Sequence, residues 1–199
     1  EALRHCLSVC GKVHASAASF NNHWGVPLTM AKMPADTEYG VFEVGMNHAG
    51  EIRHLIKFVQ PHAAIITIIA AAHLGFFKNL DEIADAKAEI FEGIVTGGTA
   101  IINRDDARFR NLEHAAKLAG VTHIYGFGEH ARARFKLVSC DLQPGHSDIV
   151  MRIDGNDMPV RIGAPGRHIV QNTLAVIGAA QTVGAELSKV IAALATLGQ

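Results

Sequence analysis

The chain has 199 residues, of which 49% are hydrophobic, with 19 glycines and few aromatic residues. This length suits one main domain with a buried core, and the composition is typical of an α/β protein rather than a disordered or fibrous one. Lys and Arg together number 18, and Asp and Glu together number 19. The composition therefore implies no basic face, and nucleic acid is not the expected partner.

The three cysteines are odd in number and lack a paired spacing, which argues against a disulfide scaffold and for a reducing, cytoplasmic setting. The longest apolar run, residues 63–72, is far shorter than the ~20 residues of a membrane helix, and no stretch resembles a signal peptide. Membrane insertion is not expected. Because Glu1 already lies in a helical pattern and the chain stops at Gln199 without a terminating pattern, we expect it to be truncated at both ends.

Hydrophobic periodicity predicts the order of the elements. Apolar residues at helical spacing predict helices over residues 2–10, 25–33, 51–59, 81–94, 109–118, 168–183 and 188–197. Strands are predicted over residues 13–15, 39–44, 63–69, 99–102 and 121–127, and the continuous apolar character of the runs at 39–44 and 63–69, typical of strands buried on both faces, predicts a parallel sheet. Alternating apolar residues with Gly/Asn turns predict three antiparallel strands within residues 132–163. The predicted fold is α/β, with a mostly parallel, doubly wound sheet flanked by helices and a small antiparallel subdomain.

The stretch Tyr39 to Ile52 places one carboxylate, Glu43, at the end of an apolar run, before Gly45 leads into a polar loop. Ligands collect outside the carboxyl ends of parallel strands, and a carboxylate in an apolar strand is costly unless it is paired or metal-bound. From this stretch alone, Glu43 is either a metal ligand or an edge-strand residue that faces water.

Two further residues follow apolar strands along the chain, His73 after the next strand and Lys87 on the helix after that. If these strands are neighbours, both residues converge with Glu43 at one sheet edge. Carboxylate and imidazole suit a divalent metal, with Mg²⁺ favouring oxygen and Mn²⁺ tolerating nitrogen, but an ammonium group cannot be a ligand. The alternatives are a hydrogen-bonded loop histidine and a surface lysine.

His168 opens a predicted helix, and Asn172 lies one turn further along the same face. Such a position near a helix N-terminus suits an anion or a nucleotide base. The alternative is a histidine that caps the helix, with Asn172 paired internally.

Six motifs occur in the order and at the spacing found in Mur ligases, and they extend over nearly the whole chain. They are SFNNHWGVPLT from Ser19, YGVFEVGMNHAGEI from Tyr39, AAAHL from Ala70, IADAKAEIFEG from Ile83, the turn at residues 103–106, and GRHIVQN from Gly166. The chain thus resembles that family. The resemblance implies that residues 1–199 are a central, ATP-binding domain with a P-loop NTPase-like fold.

The resemblance also implies roles for individual residues. Glu43 and His73 match ligands of Mg²⁺, with Mn²⁺ as an alternative, and Lys87 matches a lysine that is carbamylated and thereby becomes an oxygen ligand. Asn172 and His168 match the element near the adenine of ATP. The substrate-facing positions are Asn21 and Asn22, toward a UDP-sugar peptide, and Asn47 and His48, where the reacting ends meet.

Within the family, the loop GMNHAGEI from Gly45 resembles that of the member that adds D-alanyl-D-alanine to UDP-N-acetylmuramoyl-tripeptide in peptidoglycan precursor synthesis. The implied reaction is ATP-dependent amide bond formation through an acyl phosphate. Alternatives are another Mur-type or folylpolyglutamate-type ligase, or a non-catalytic nucleotide-binding fragment. The family's phosphate loop and its N- and C-terminal domains are not in this sequence, so we expect these 199 residues alone to be inactive.

Two positions depart from the family pattern. Gly75 stands where glutamate often follows His-Leu, and Ile169 stands where asparagine often follows the histidine. The first departure removes a possible partner of His73, since a metal-bound imidazole normally has one. The second removes an adenine contact at position 169, and Asn172 remains.

Overall fold

The structure is a computed structural model and describes residues 1–16, 19–71 and 75–198. Its helices are α1 Ala2–Ser8, α2 Gly25–Ala31, α3 Glu51–Val59, α4 Leu80–Ala88, α5 Phe109–Leu118, α6 Arg167–Thr182 and α7 Leu187–Leu194. A 3₁₀ helix, Glu89–Gly93, follows α4. The strands are β1 Val13–Ala15, β2 Tyr39–Val41, β3 Ala63–Ile66, β4 Thr99–Asn103, β5 His123–Gly128, β6 Phe135–Leu142, β7 Ser147–Ile153 and β8 Asn156–Ile162.

The main sheet has six strands in the order β3-β4-β5-β6-β7-β8, and a second sheet pairs β1 with β2. Strands β3 to β6 run parallel, as do β1 and β2, whereas β6, β7 and β8 are antiparallel. The predicted α/β class with a mostly parallel sheet is confirmed. The three antiparallel strands extend the main sheet at one edge.

Helices cover both faces of the main sheet, and two hydrophobic cores result. One core contains residues of α1, α6 and α7, and the other contains residues of α3, α4, α5 and the 3₁₀ helix. Strand β4 is buried along its whole length. Its Ile101 belongs to the first core, while Ala100 and Ile102 belong to the second, as the alternation of side chains along a strand requires.

Several strands end earlier than predicted. Beyond these ends, backbone N–H groups donate hydrogen bonds to loops or side chains instead of to a neighbouring strand. Strand β2 ends at Val41 rather than residue 44, and the Gly45 N–H donates to the Asn21 carbonyl oxygen at 2.8 Å. Strand β3 ends at Ile66 rather than residue 69, and the Ile69 N–H donates to Asp106 Oδ2 at 2.8 Å. Strands β2 and β3 also belong to different sheets. The condition for convergence at a single sheet edge, that these two strands are neighbours, is therefore not met.

The described helices include none with the length and apolar character that crossing a membrane requires.

Candidate functional site

Glu43 lies two residues beyond β2 and is exposed. Its Oε1 accepts a hydrogen bond from Asn21 Nδ2 at 2.8 Å. A Cβ atom at position 45 would lie 2.9 Å from Asn21 Cγ, so any larger residue would displace the Asn21 side chain from this position. The structure thus joins a predicted metal ligand to a predicted substrate-binding residue, and one oxygen of Glu43 remains outside this bond.

Lys87 lies near the end of α4 and is half-buried. Burial lowers the pKa of Lys87, and the negative charge of Glu43 partly offsets that decrease in pKa. The structure therefore brings Lys87 into the electrostatic field of Glu43, although the two residues come from different segments. A lowered pKa increases the fraction of neutral amine, which is the form that reacts with CO₂.

His73, the third residue of this predicted cluster, lies outside the described residues. Within the ranges that are described, no group of three His, Cys, Asp or Glu side chains is placed to hold a metal ion. The segment that leads toward His73 is held by Asp106, whose Oδ2 accepts from the Ile69 N–H and whose Oδ1 accepts from the Arg108 N–H at 2.9 Å. Asp106 thus connects the end of β3 to the turn after β4.

Asn47 and His48 are both exposed and are both held by Glu51 at the start of α3. The Asn47 N–H donates to Glu51 Oε2 at 2.7 Å, and His48 Nδ1 lies 3.0 Å from Glu51 Oε1. These two contacts, the Asn47 N–H first and then the His48 ring, hold the pKa of Glu51 below its ordinary value. The His48 ring also meets Phe76 edge-on, with centroids 5.2 Å apart.

Asn22 has a structural contact that the sequence did not reveal. Its Oδ1 accepts hydrogen bonds from the backbone N–H groups of Trp24 at 3.0 Å and Gly25 at 2.9 Å. The side-chain carbonyl of Asn22 therefore organises the start of α2, as asparagine commonly does at a helix N-terminus.

Glu89 is a residue of this region that sequence reasoning missed. It is only 5% exposed, and its carboxylate accepts hydrogen bonds from the Gly50 N–H at 2.7 Å and the Arg53 N–H at 3.0 Å. The Arg53 guanidinium lies 3.5 Å from the same carboxylate. Glu89 thus caps α3 from the adjoining 3₁₀ helix, and it fixes the end of the Asn47–His48 loop. The available signal was a glutamate at the buried end of an apolar helical stripe.

His168 and Asn172 lie on the first turns of α6, and both are exposed. The His168 ring lies over Gly166, where a Cβ atom would come within 3.1 Å of it, and Gly166 has a φ of +120°. No side chain caps this helix in the described part of the chain. Glu129, just beyond β5, pairs with Arg167 and accepts from Gln171 Nε2 at 3.3 Å. These contacts attach the start of α6 to the carboxyl edge of the sheet.

The predicted residues therefore form separate groups. Asn21, Glu43 and Lys87 make one group, Asn47 and His48 with Glu51 make a second, and His168 and Asn172 make a third. The hydrogen bonds described for the third group share no residue with those of the first.

The chain matches the model of the Mur ligase middle domain over residues 1–180. It belongs to the Mur ligase family. The earlier resemblance is confirmed, and it extends to particular relatives.

A UDP-N-acetylmuramoyl-tripeptide--D-alanyl-D-alanine ligase from Rickettsia prowazekii is 36% identical over 177 residues, which cover 89% of this chain and 39% of that protein. The crystal structure of MurF from Acinetobacter baumannii has a TM-score of 0.91 at 32% identity, covering 98% of this chain and 42% of that one. The structure of MurF ligase from Thermotoga maritima in complex with ADP has a TM-score of 0.87 over 100% of this chain and 45% of that chain. Its identity of 22% shows a shared fold. The chain spans about two fifths of the length of the curated relatives it matches.

Proposed function

We propose that this chain is the nucleotide- and metal-binding part of an ATP-dependent ligase that adds D-alanyl-D-alanine to UDP-N-acetylmuramoyl-tripeptide. The observation that carries the proposal is the sequence similarity to a ligase of that name over most of the chain. The fold shared with a MurF structure supports it. An adenine nucleotide suits the proposal, because a MurF ligase of the same fold was solved with ADP.

For the metal, we propose Mg²⁺, with Mn²⁺ as an alternative, held by Glu43, His73 and a carbamate on Lys87. The described residues fit this proposal chemically. One Glu43 oxygen is fixed by Asn21, and a carbamate would add oxygen atoms of the kind that Mg²⁺ prefers. Because burial lowers the pKa of Lys87, its amine is more readily neutral than that of an exposed lysine, as carbamylation requires.

In the proposed reaction, the γ-phosphoryl group passes to the tripeptide carboxylate to give an acyl phosphate. The amine of D-alanyl-D-alanine then attacks, and phosphate leaves. When bound, the metal neutralises charge on the phosphoryl oxygens. Asn21 orients Glu43, and Glu51 orients the Asn47–His48 loop toward the substrate. Asn21 and Asn22 face the UDP-sugar peptide, and His168 and Asn172 contact the adenine.

Phosphate release by the complete encoded protein tests this function. We expect release to require both UDP-N-acetylmuramoyl-tripeptide and D-alanyl-D-alanine, and not to occur with a single amino acid or glutamate in place of the dipeptide. Glu43→Gln should lower the rate by about 100-fold or more, as the loss of a metal-site group commonly does. Asp157→Asn, on β8, is the matched control. Release that depends on glutamate instead would contradict the assignment.

A further inference from the structure

An open groove lies between α5 and the loop at residues 129–134 that follows β5. Its central part has a volume of about 420 Å³ and is lined by Arg104, Phe109, Arg110, His130 and Arg132 among others. The groove continues along α5 to His114 and Lys117, where a second, overlapping volume is about 460 Å³. None of the residues assigned above to the metal, substrate or adenine lines it.

The groove collects positive charge that carboxylates do not neutralise. Six other arginines are paired with carboxylates, for example Arg108 with Asp81 at 3.0 Å and Arg134 with Asp154 at 3.2 Å. In the described ranges, Arg104, Arg110 and Arg132 have no carboxylate within 4 Å, in contrast to these pairs. Three guanidinium groups therefore face one concave surface without a counterion from the protein.

The acidic residues at this surface are already engaged. Asp106 accepts from the Ile69 and Arg108 N–H groups, and Glu113 lies 3.5 Å from Lys117. They therefore leave the guanidinium groups of Arg104, Arg110 and Arg132 available to an external anion.

The groove is also organised before any ligand arrives. The Arg104 guanidinium lies over the Phe109 ring at 4.4 Å, and its Nε donates to His130 Nδ1 at 3.2 Å. The Arg132 N–H donates to the same His130 nitrogen at 3.1 Å. These contacts fix Arg104 and tie it to the loop that carries Arg132. Side chains ordered in advance lower the entropic cost of binding.

We propose that this groove binds a pyrophosphate group, either as inorganic pyrophosphate or as the diphosphate of a nucleotide. The planar guanidinium fork matches phosphate oxygens in a bidentate arrangement, and several cations at one surface favour an anion with more than one charge. Arg110 and Lys117 are seven residues apart on a helix, or roughly 10 Å. That length accommodates two linked phosphates. The proposal does not depend on the ligase function.

Titration of the 199-residue chain with inorganic pyrophosphate, without divalent metal, tests the proposal by calorimetry and by backbone amide shifts. We expect shifts near residues 104, 110 and 132. The double variant Arg110→Gln/Arg132→Gln should weaken binding by at least about tenfold, because it removes two guanidinium groups that donate charge-assisted hydrogen bonds to phosphate oxygens. The matched control, Arg152→Gln/Arg161→Gln, removes the same charge from β7 and β8 and should bind as the parent does.

Competition identifies the source of the diphosphate. Displacement of pyrophosphate by ADP or UDP would assign the groove to a nucleotide, and a lack of displacement would assign it to free pyrophosphate. Unchanged affinity in the groove variant, an equal loss in the control variant, or amide shifts confined to other surfaces would overturn the proposal. So would equal binding by orthophosphate or by an acidic peptide. Thermal melting of each variant separates loss of binding from loss of fold.

Discussion

Lys87 and Glu89 are two residues apart, but they differ in burial and in the groups that surround their charges. Lys87 is half-buried, and the negative charge of Glu43 opposes the effect of burial on its pKa. Glu89 is buried, and backbone N–H groups at the start of α3 satisfy its carboxylate. The lysine is therefore available for chemistry, whereas the glutamate has a structural role. The two roles differ because α3 supplies hydrogen-bond donors to Glu89, whereas Lys87 is affected by the charge of Glu43.

Replacement of Glu89 tests that structural role. Glu89→Ala leaves the Gly50 and Arg53 N–H groups without their acceptor, and we expect a loss of about 2–4 kcal/mol in the free energy of unfolding. Glu92→Ala, which removes the more exposed partner of the same Arg53, should cost less than about 1 kcal/mol. Urea denaturation measures both. Equal losses would mean that the Glu89 contacts are not the source of the stability.

The lowered pKa of Lys87 predicts a pH dependence with a definite sign. Because the folded-state pKa lies below the unfolded value near 10.4, the folded protein releases this proton first as pH rises. The contribution of Lys87 to stability therefore increases through that window and is constant below it. Carbamylation should increase in the same direction, because it consumes the neutral amine.

Carbon-13 NMR of the chain in labelled bicarbonate measures that carbamate. We expect a signal that is stronger at pH 9 than at pH 7, disappears in Lys87→Arg and persists in the control Lys57→Arg. A spectrum of Lys87→Arg identical to that of the parent would disprove modification at this position.

At the scale of elements, the loops that follow the strands depend on contacts between distant segments. The loop after β2 is joined to the segment before α2 by the Asn21–Glu43 hydrogen bond and by the Gly45 N–H. Asp105, in the turn after β4, accepts from the Glu129 and His130 N–H groups at 2.7 and 2.9 Å. The loops after β2 and after β4 are thus each held by hydrogen bonds to a segment that is distant in the chain.

Gly45→Ala tests the first of these connections. The added methyl group would lie 2.9 Å from Asn21 Cγ, so the Asn21 side chain must move away from its place beside Glu43, and we expect a cost of about 1–3 kcal/mol. The amide signal of Asn21 should shift as its bond to Glu43 weakens. Gly145→Ala is the control, because nothing lies within 4 Å of its Cβ. If both variants show the same stability and the same Asn21 shift, the close contact between Gly45 and Asn21 does not contribute to stability.

For the whole molecule, the hydrophobic core around helix α6 connects the two sheets. It packs against strands of the main sheet and against α1. Residues of β1 and β2, Val13, Tyr39 and Val41, pack against the same hydrophobic core as Leu174 of α6. The two sheets lack hydrogen bonds to each other in the strand pairing of the described residues, yet they share this core. We therefore expect them to unfold together.

Leu174→Ala tests the shared core. Leu174 is fully buried, and its truncation should cost about 2–5 kcal/mol and leave one cooperative transition. Hydrogen exchange should accelerate in both sheets. Leu118→Ala, at a position 76% exposed, should change stability by no more than about 0.5 kcal/mol. Faster exchange in the main sheet alone would show that β1 and β2 unfold independently.

Much of the architecture was predictable from sequence, because burial leaves a local pattern. The bounds of β1, α3 and α5 agree with the prediction, since each is a short run with a clear apolar period and a clear end. The predicted end of a strand was wrong where a side chain from another segment, rather than a neighbouring strand, binds the backbone N–H group. Asp106, for example, takes the Ile69 N–H and ends β3 early.

The candidate site was only partly predictable. Glu43 and Lys87 were selected from sequence, and the charge of Glu43 does act on the pKa of Lys87. The assignments of the site residues stay predictions, with His73 outside the described residues. Glu89 was missed although it lies beside an apolar helical stripe, because its partners at Gly50 and Arg53 come from another segment. The groove at Arg104 was missed because an arginine has the same local sequence signature on a surface as in a cluster.

The sequence by itself thus determined the order and type of the elements, the parallel sheet and the family, because periodicity and ordered motifs are properties of neighbouring residues. Only the tertiary structure decided which groups each charged side chain meets. Asn21 and Glu43 are 22 residues apart and Gly50 and Glu89 are 39 apart, while Arg110 and Arg132 line the same groove without a carboxylate partner among the described residues. Such contacts depend on where the chain folds back, and the cost of burying a charge is set by the partner it meets there.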